Sequence, residues 1–149
     1  MNAGEICNRE VIIVKRENTI QEAAELMRKY HVGDVVVVEE REGMRLPVGI
    51  LTDRDIVVAI VARDLKADEI AVGDAMSTDL LTAGEDDEIL ETIKRMRGKG
   101  VRRIPVVNSA GGLEGIIAVD DLVDLLAEQL TDLVDLISTE QRLERRKRA

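Results

Sequence analysis

Aromatic side chains are nearly absent from this sequence, which has one tyrosine and no phenylalanine or tryptophan. Proteins that bind RNA or single-stranded DNA commonly stack bases on aromatic rings, so the composition disfavours that class. A formal net charge of −9 at pH 7 argues further against a nucleic-acid partner, because such surfaces are basic. The hydrophobic content of 45% still allows a sizeable core, built from Val, Ile, Leu, Met and Ala.

Side chains for catalysis and metal binding are equally scarce. Cys7 is the single cysteine, which excludes an intramolecular disulfide and fits a reducing compartment. His31 is the single histidine, and its place at the end of a predicted helix favours a helix-end role over a ligand role. HExxH, CxxC and Walker-type motifs are missing from the sequence. We therefore expect neither an enzyme nor a metal site.

Long apolar runs are missing too. The longest, "IVVAIVA" at 56–62, is far too short to span a bilayer. The first residues lack a charged start followed by an apolar signal stretch. The sequence thus predicts a cytoplasmic protein without a membrane partner.

The chain contains an internal repeat. "TIQEAAELMRKYHV" at 19–32 matches "EILETIKRMRGKGV" at 88–101, and the apolar spacing of the first copy predicts an amphipathic helix. Asn18 or Thr19 is expected to cap that helix, and Asp87 the second one. Five pairs carry the match: Ile20 with Ile89, Glu22 with Glu91, Met27 with Met96, Arg28 with Arg97, and Val32 with Val101.

Each predicted helix is followed by two strands and another helix. "VVVV" at 35–38 and "IPVV" at 104–107 are typical of buried strands, and polar turns over 39–47 and 108–112 lead to second strands. An extended segment precedes each copy, at 10–14 and 79–83. The predicted fold class is α/β (α+β), with two β-α-β-β-α repeats related by a pseudo-two-fold axis and sheets packed face to face. We place the first repeat at 5–66, the second at 67–130, and a C-terminal helical extension at 131–149.

The repeat resembles the CBS domain, named for cystathionine β-synthase, and the tandem pair resembles a Bateman module. The resemblance rests on "DAMSTDLLTAGEDDEILETIKRM", "VRRIPVV" and "GIIAVDD" in the second copy, and on "HVGDVVVVEE" and "PVGILTDRDIV" in the first. It implies a stand-alone regulatory protein, without a covalently bound cofactor, that signals to an unknown partner. It also implies a ligand that contains adenosine, either an adenine nucleotide or S-adenosylmethionine, bound in clefts between the repeats.

The resemblance also implies candidate ligand-binding residues. Thr52 and Asp55 match the family's Thr/Ser-x-x-Asp, whose acid holds the ribose diol and whose hydroxyl helps to hold ribose or phosphate. Asp121 matches the same acid in the second copy, where Ala118 replaces the hydroxyl. In "VRRIP", Arg103 matches a basic residue that reaches phosphate in some members, and Arg102 lies beside it; the candidate residues are Thr52, Asp55, Arg102, Arg103 and Asp121.

Simpler interpretations stay open for these residues. Thr52 and Asp55 have the spacing of a helix capping box, and Arg102 with Arg103 could be a solvated pair at a cleft mouth. The equivalents of the two arginines in the first copy are Gly33 and Asp34, and an acid there would repel phosphate. The first copy thus looks equipped for ribose and the second for phosphate. A ligand-free dimerisation or assembly module is the alternative function.

The C-terminal segment predicts a helix that outlasts the repeat. Its leucines form an apolar stripe, and its charge changes from acidic to basic along the chain, which suits the helix dipole. An apolar stripe beyond the end of its own domain suggests packing against another subunit, so we expect a homodimer.

Overall fold

The computed structural model describes residues 1–148 and divides into two compact units, Met1–Ile117 and a second from Ala118 onward. The helices are α1 (Ala3–Ile6), α2 (Ile20–Tyr30), α3 (Asp53–Ile56), α4 (Val72–Ala75), α5 (Ile89–Lys99) and α6 (Val119–Arg148). The strands are β1 (Ile13–Val14), β2 (Asp34–Arg41), β3 (Met44–Thr52), β4 (Ala83–Gly84), β5 (Arg103–Val107) and β6 (Leu113–Ala118). Over the described residues the expected fold class is confirmed, with two three-stranded sheets and a long C-terminal helix.

The two sheets have the same strand order, β1-β2-β3 and β4-β5-β6. In each sheet the short first strand runs parallel to the middle strand, with Ile13 opposite Val36 and Ala83 opposite Val106. β2 and β3 are antiparallel. The element order of each half therefore follows the repeat predicted from the sequence.

The first sheet is longer than its apolar residues indicate. β2 and β3 continue through the polar stretch that was expected to be a turn, and only Glu42 and Gly43 connect them. Both connecting residues have positive φ values, 52° and 78°, the combination that two-residue hairpin turns require. Val37 pairs with Gly49 and Val38 pairs with Pro47, so the register shifts by one residue between them. Val48 has no partner on β2 and forms a β-bulge next to Pro47. The polar residues extend an exposed hairpin.

Helix capping follows the sequence in the first half and departs from it in the second. The Thr19 hydroxyl accepts the Glu22 N–H at 3.1 Å and caps α2, and His31 ends that helix with a φ of 54°. Asp87 does not cap α5, because its carboxylate accepts the Gly84 N–H at 2.8 Å and binds Arg95. The N-cap of α5 is Glu88, whose side chain makes no capping hydrogen bond.

The helix after β3 also differs from a simple α-helix. The sequence predicts one helix after this strand, but α3 ends at Ile56 and continues as a π-helical segment, Val57–Val61. Ile60 is the buried residue of that segment, whereas Val57, Val58 and Val61 are exposed.

Each sheet pairs with a further extended segment beside its third strand. Asn8 and Ile116 exchange two backbone hydrogen bonds of 2.9 Å, so the N-terminal segment pairs with β6. In the same way Ser77 exchanges hydrogen bonds of 3.0 and 3.2 Å with Ile50 of β3. The N-terminal segment therefore pairs with the sheet of the second half, and the segment around Ser77 pairs with the sheet of the first half.

This pairing explains the repeated glycine of "GILT" and "GIIA". A Cβ atom at Gly49 would lie 2.7 Å from Met76 Sδ and 2.8 Å from the Ser77 carbonyl oxygen. A Cβ atom at Gly115 would lie 2.5 Å from Cys7 Sγ. Both strands need glycine where the neighbouring segment passes over them.

The core of the first half is aliphatic, as the composition predicts. This core contains residues from α2, the first sheet and the π-helical segment. It also contains Val72 of α4 and Met76, the residue directly after α4. Its buried members are Val14, Ile20, Ala23, Met27, Val35, Val37, Leu51, Ile60, Val72 and Met76.

The second unit consists of α6 with Ala118 before it. From Leu126 to Arg148 every residue is exposed. None of the helices in residues 1–148 combines the length and the apolar character needed to cross a membrane.

Candidate functional site

A cleft of ≈ 430 Å³ opens in the first unit where the end of β3 meets the beginning of β5. This volume lies in the range of small-molecule sites. Three chain segments supply the walls: the end of β3 with the start of α3, the segment between the repeats, and the start of β5. The lining residues are Ile50, Thr52, Asp53, Arg54, Ser77, Asp79, Leu80, Leu81, Val101, Arg102 and Arg103.

The first wall combines a hydroxyl with a carboxylate. Thr52 ends β3 and caps α3, and Asp53 is the first residue of that helix. One Asp53 oxygen accepts the Arg54 N–H at 2.8 Å, and the side chain is exposed to the cleft. Thr52 accepts the Asp55 N–H through its oxygen, which leaves its own proton to donate to a ligand.

Asp55 is committed to helix capping in this structure. Its carboxylate accepts the Thr52 N–H at 2.9 Å while its own N–H donates to the Thr52 hydroxyl at 3.1 Å, which completes a capping box. Asp55 is not among the cleft-lining residues. The ribose-binding role assigned to it stays a prediction.

The opposite wall carries the arginines. Arg102 and Arg103 both line the cleft, and their role in binding a phosphate stays a prediction. Lys99 pairs with Asp79 at 2.6 Å, which offsets the charge of that acid. The remaining candidate, Asp121, is an exposed residue in the first turn of α6, in the other unit.

An ion pair links the two halves beside the cleft. Arg103 Nε lies 2.9 Å from Asp34 Oδ1, with 29% and 15% of the two side chains exposed. Asp34 and Arg103 are 69 residues apart in the sequence, as are the matched residues Ile20 and Ile89. The ion pair therefore joins equivalent positions of the two copies. The acid at position 34 therefore holds the arginine of the other copy, and a phosphate would compete with it for Arg103.

Burial raises the pKa of the Asp34 carboxyl above its ordinary value. The Arg103 guanidinium lowers this pKa through its charge and its hydrogen bond, and the Asp53 carboxylate raises it again. Asp53 is close to the pair, because a Cβ atom at Gly33 would lie 3.2 Å from Asp53 Oδ2 and 3.4 Å from Arg103 Nη2. The cluster thus holds two carboxylates against one guanidinium.

Sequence reasoning missed several residues of the cleft. Asp53 was passed over because the repeat comparison places it opposite Val119, so the acid has no counterpart in the second copy. Ser77 and Asp79 lie in the segment that leads into β4, where the sequence predicts only an extended segment over 79–83. The signal for Asp53 is its position directly after a buried strand, where side chains gather at the edge of a sheet.

The family model of the CBS domain matches this chain twice, at residues 3–62 and 72–128. The chain belongs to the CBS domain family. Its two matches form a CBS pair, and the cleft lies at the junction of the two CBS halves in the first unit.

Individual relatives agree with this assignment. An uncharacterised protein of Methanopyrus kandleri is 37% identical over 125 residues, which cover 84% of this chain and 62% of that protein. The CBS domain-containing protein YhcV of Bacillus subtilis is 34% identical over 113 residues, 76% of each chain. The solved CBS domain pair of protein MJ0100, in complex with 5′-methylthioadenosine and S-adenosyl-L-methionine, superposes with a TM-score of 0.74 at 25% identity, covering 87% of this chain and 98% of that one.

Proposed function

We propose that the cleft binds an adenosine-containing small molecule and that its occupancy regulates a partner protein. The observation that carries the proposal is the joint wall of Thr52, Asp53 and Arg102, contributed by both CBS halves. A ligand held there contacts both halves at once, so its binding free energy depends on how the halves are arranged. That dependence is what a regulatory site needs.

The chemistry of the walls suits the parts of an adenosine ligand. A carboxylate such as Asp53 accepts both protons of a ribose diol, and hydrogen bonds to charged groups are the stronger kind. The aliphatic side chains of Ile50, Leu80 and Val101 line the cleft and offer apolar surface to a base. Arg102 supplies a cation for a phosphate or a carboxylate.

The CBS pair of MJ0100 supports the ligand class, because both molecules in that complex contain adenosine. No group of His, Cys, Asp and Glu suited to a metal ion occurs in residues 1–148. The regulated partner is expected to sense the arrangement of the two halves.

A thermal-shift panel tests the ligand class. It contains adenosine, AMP, ADP, ATP, 5′-methylthioadenosine and S-adenosylmethionine, with GMP and cytidine as controls. A ligand at 100 times its dissociation constant adds about 2.7 kcal/mol to the free energy of unfolding. A shift with adenosine compounds alone supports the proposal. Equal shifts with the controls contradict the adenosine class, and no shift with any compound contradicts the proposal and favours the ligand-free assembly function.

Substitutions in the cleft separate ligand binding from helix capping. We expect Asp53→Asn to weaken binding of the best adenosine ligand at least tenfold, because a hydrogen bond to a charged group contributes about 1.5–3 kcal/mol. Asp55→Asn is the matched control: if Asp55 only caps α3, it lowers the free energy of unfolding by up to about 1 kcal/mol and leaves affinity intact. Titration calorimetry on both variants measures this. The opposite ranking would assign the ribose role to Asp55.

Arg102→Ala tests the phosphate end of the cleft. We expect it to weaken AMP at least tenfold and adenosine less than twofold, since adenosine lacks the phosphate that the guanidinium would bind. Arg97→Ala, on the exposed end of α5, is the control with the same loss of charge. Equal losses for AMP and adenosine, or equal losses in the two variants, would remove Arg102 from the site.

A further inference from the structure

The second unit carries an apolar stripe that is open to solvent. Leu126, Leu130, Leu133 and Ile137 follow one another at intervals of four, three and four residues, the spacing of a coiled-coil seam. Each is more than half exposed, from 56% for Leu126 to 64% for Leu130. Further exposed apolar residues flank the seam: Val134, Leu136 and Leu143.

Such a stripe indicates a partner. Helices of soluble proteins turn their apolar face to a core, and contiguous exposed apolar surface marks an interaction site. α6 is about 45 Å long at 1.5 Å per residue, and every described residue beyond Leu125 is exposed. An unpartnered helix of this kind leaves a large apolar area in water, which association would remove.

The charges of α6 indicate which partner fits. The first half of the helix has no basic side chain and carries five acids: Asp120, Asp121, Asp124, Glu128 and Asp132. The second half gathers all the basic residues of the helix: Arg142, Arg145, Arg146, Lys147 and Arg148. Of the acids in this half, Glu144 is already paired with Arg148 at 2.9 Å. The helix therefore presents opposite charges at its two ends.

We propose that α6 pairs antiparallel with α6 of a second copy of this chain. In this register Leu126 of one copy faces Ile137 of the other, and Leu130 faces Leu133, so all four seam residues are buried in pairs. In this register Asp121 of each helix lies opposite Arg142 of its partner, and Arg145 lies about one turn from the same Asp121. A parallel pair would place acid beside acid and base beside base. The inference is independent of the adenosine ligand, and it names the surface and orientation of the homodimer expected from the sequence.

Matched charge insertions on neighbouring residues test the interface in the full-length protein. Ile137→Glu places a carboxylate in the seam, and Ser138→Glu places the same charge on the adjoining polar face. We expect wild type and Ser138→Glu to sediment as dimers of twice 16.5 kDa. The dissociation constant of Ile137→Glu should rise at least tenfold, with an unchanged circular dichroism spectrum. A monomeric wild type, or equal behaviour of the two variants, overturns the proposal.

Disulfide trapping tests the orientation, with Cys7→Ser as the background. Leu126→Cys and Ile137→Cys are oxidised separately and as a mixture. The antiparallel register predicts efficient crosslinking only in the mixture, because each cysteine faces the other position. Self-crosslinking of each variant alone indicates a parallel pair and overturns the proposal, as does a dimer that crosslinks in no sample. Binding of a monomeric wild type to phosphatidylglycerol vesicles would instead assign the stripe to a lipid surface.

Discussion

Gly49→Ala is expected to lower the free energy of unfolding by about 3 kcal/mol, the upper part of the range for overpacked interiors. The added methyl group would lie 2.8 Å from the Ser77 carbonyl oxygen and 2.7 Å from Met76 Sδ. The sulfur is at the end of a flexible side chain and can move, but the carbonyl belongs to the backbone that pairs with Ile50. Relief of the contact therefore requires loss of that pairing.

Gly98→Ala is the matched control for this prediction. Gly98 lies in α5, and a Cβ atom there meets nothing within 4 Å. Replacing a helical glycine at an open position stabilises by about 0.4–1 kcal/mol, chiefly through the unfolded chain. Urea unfolding of both variants measures the difference. Similar effects in the two variants would show that backbone entropy, and not the close approach at Gly49, sets the response.

Arg103→Ala is expected to lower the free energy of unfolding by about 2 kcal/mol near pH 7. The loss of one partner from a fully buried pair costs about 3–5 kcal/mol, and partial exposure of this pair reduces that figure. The reason is that Asp34 stays in place, largely buried, without the guanidinium that balances it. Its pKa, already raised by burial, then rises further.

The pH dependence follows from the direction of that shift. The folded protein holds the Asp34 proton at higher pH than the unfolded chain does, so it binds more protons in the window above the ordinary pKa of 3.8. Stability therefore falls as the pH rises through this window. Arg103→Ala extends the window to higher pH, because it raises the pKa of Asp34 further. Arg103→Ala should be less destabilising at pH 4.5 than at pH 7, and Asp34→Asn with Arg103→Ala should recover most of the loss.

Lys94→Ala provides the comparison for an exposed pair. Lys94 and Glu91 lie 3.1 Å apart with 72% and 64% of their side chains exposed, and such pairs contribute about 0.2–1 kcal/mol. Urea titrations at the two pH values measure all the variants. A loss in Arg103→Ala that is equal at both pH values, or that the second substitution fails to recover, would show that the ion pair does not hold the halves together.

The local elements of the fold were predictable because their signals are periodic. The spacing of apolar residues predicts α2 and α5, and the β-branched runs predict β2 and β5. The hairpin turn at Glu42 and Gly43 could not be predicted, because the ends of β2 and β3 beside it are polar and exposed and lack an apolar pattern. Asp87 shows the same limit, since a carboxylate before a helix can bind a loop N–H as well as cap the helix.

Contacts between residues far apart in sequence had no local signal. Nothing in "NRE" predicts that Asn8 pairs with Ile116, and the repeated glycines were the only trace of the passing segments. In the cleft, the sequence identified Thr52 and the two arginines. The sequence favoured Asp55 over Asp53 because only Asp55 has an acidic counterpart in the second copy. In the structure Asp55 takes part in the capping box of α3.

The pairing of Asn8 with Ile116 sets an order on folding during synthesis. Ser77 leaves the ribosome 27 residues after Ile50, so this pairing with the first sheet forms while the second CBS half is still being made. Asn8 leaves the ribosome 108 residues before Ile116, so its backbone pairing with β6 forms only after that strand has been made. The pairing of Asn8 thus waits longer than the pairing of Ser77, and a change at Asn8 acts on the CBS half that is translated second.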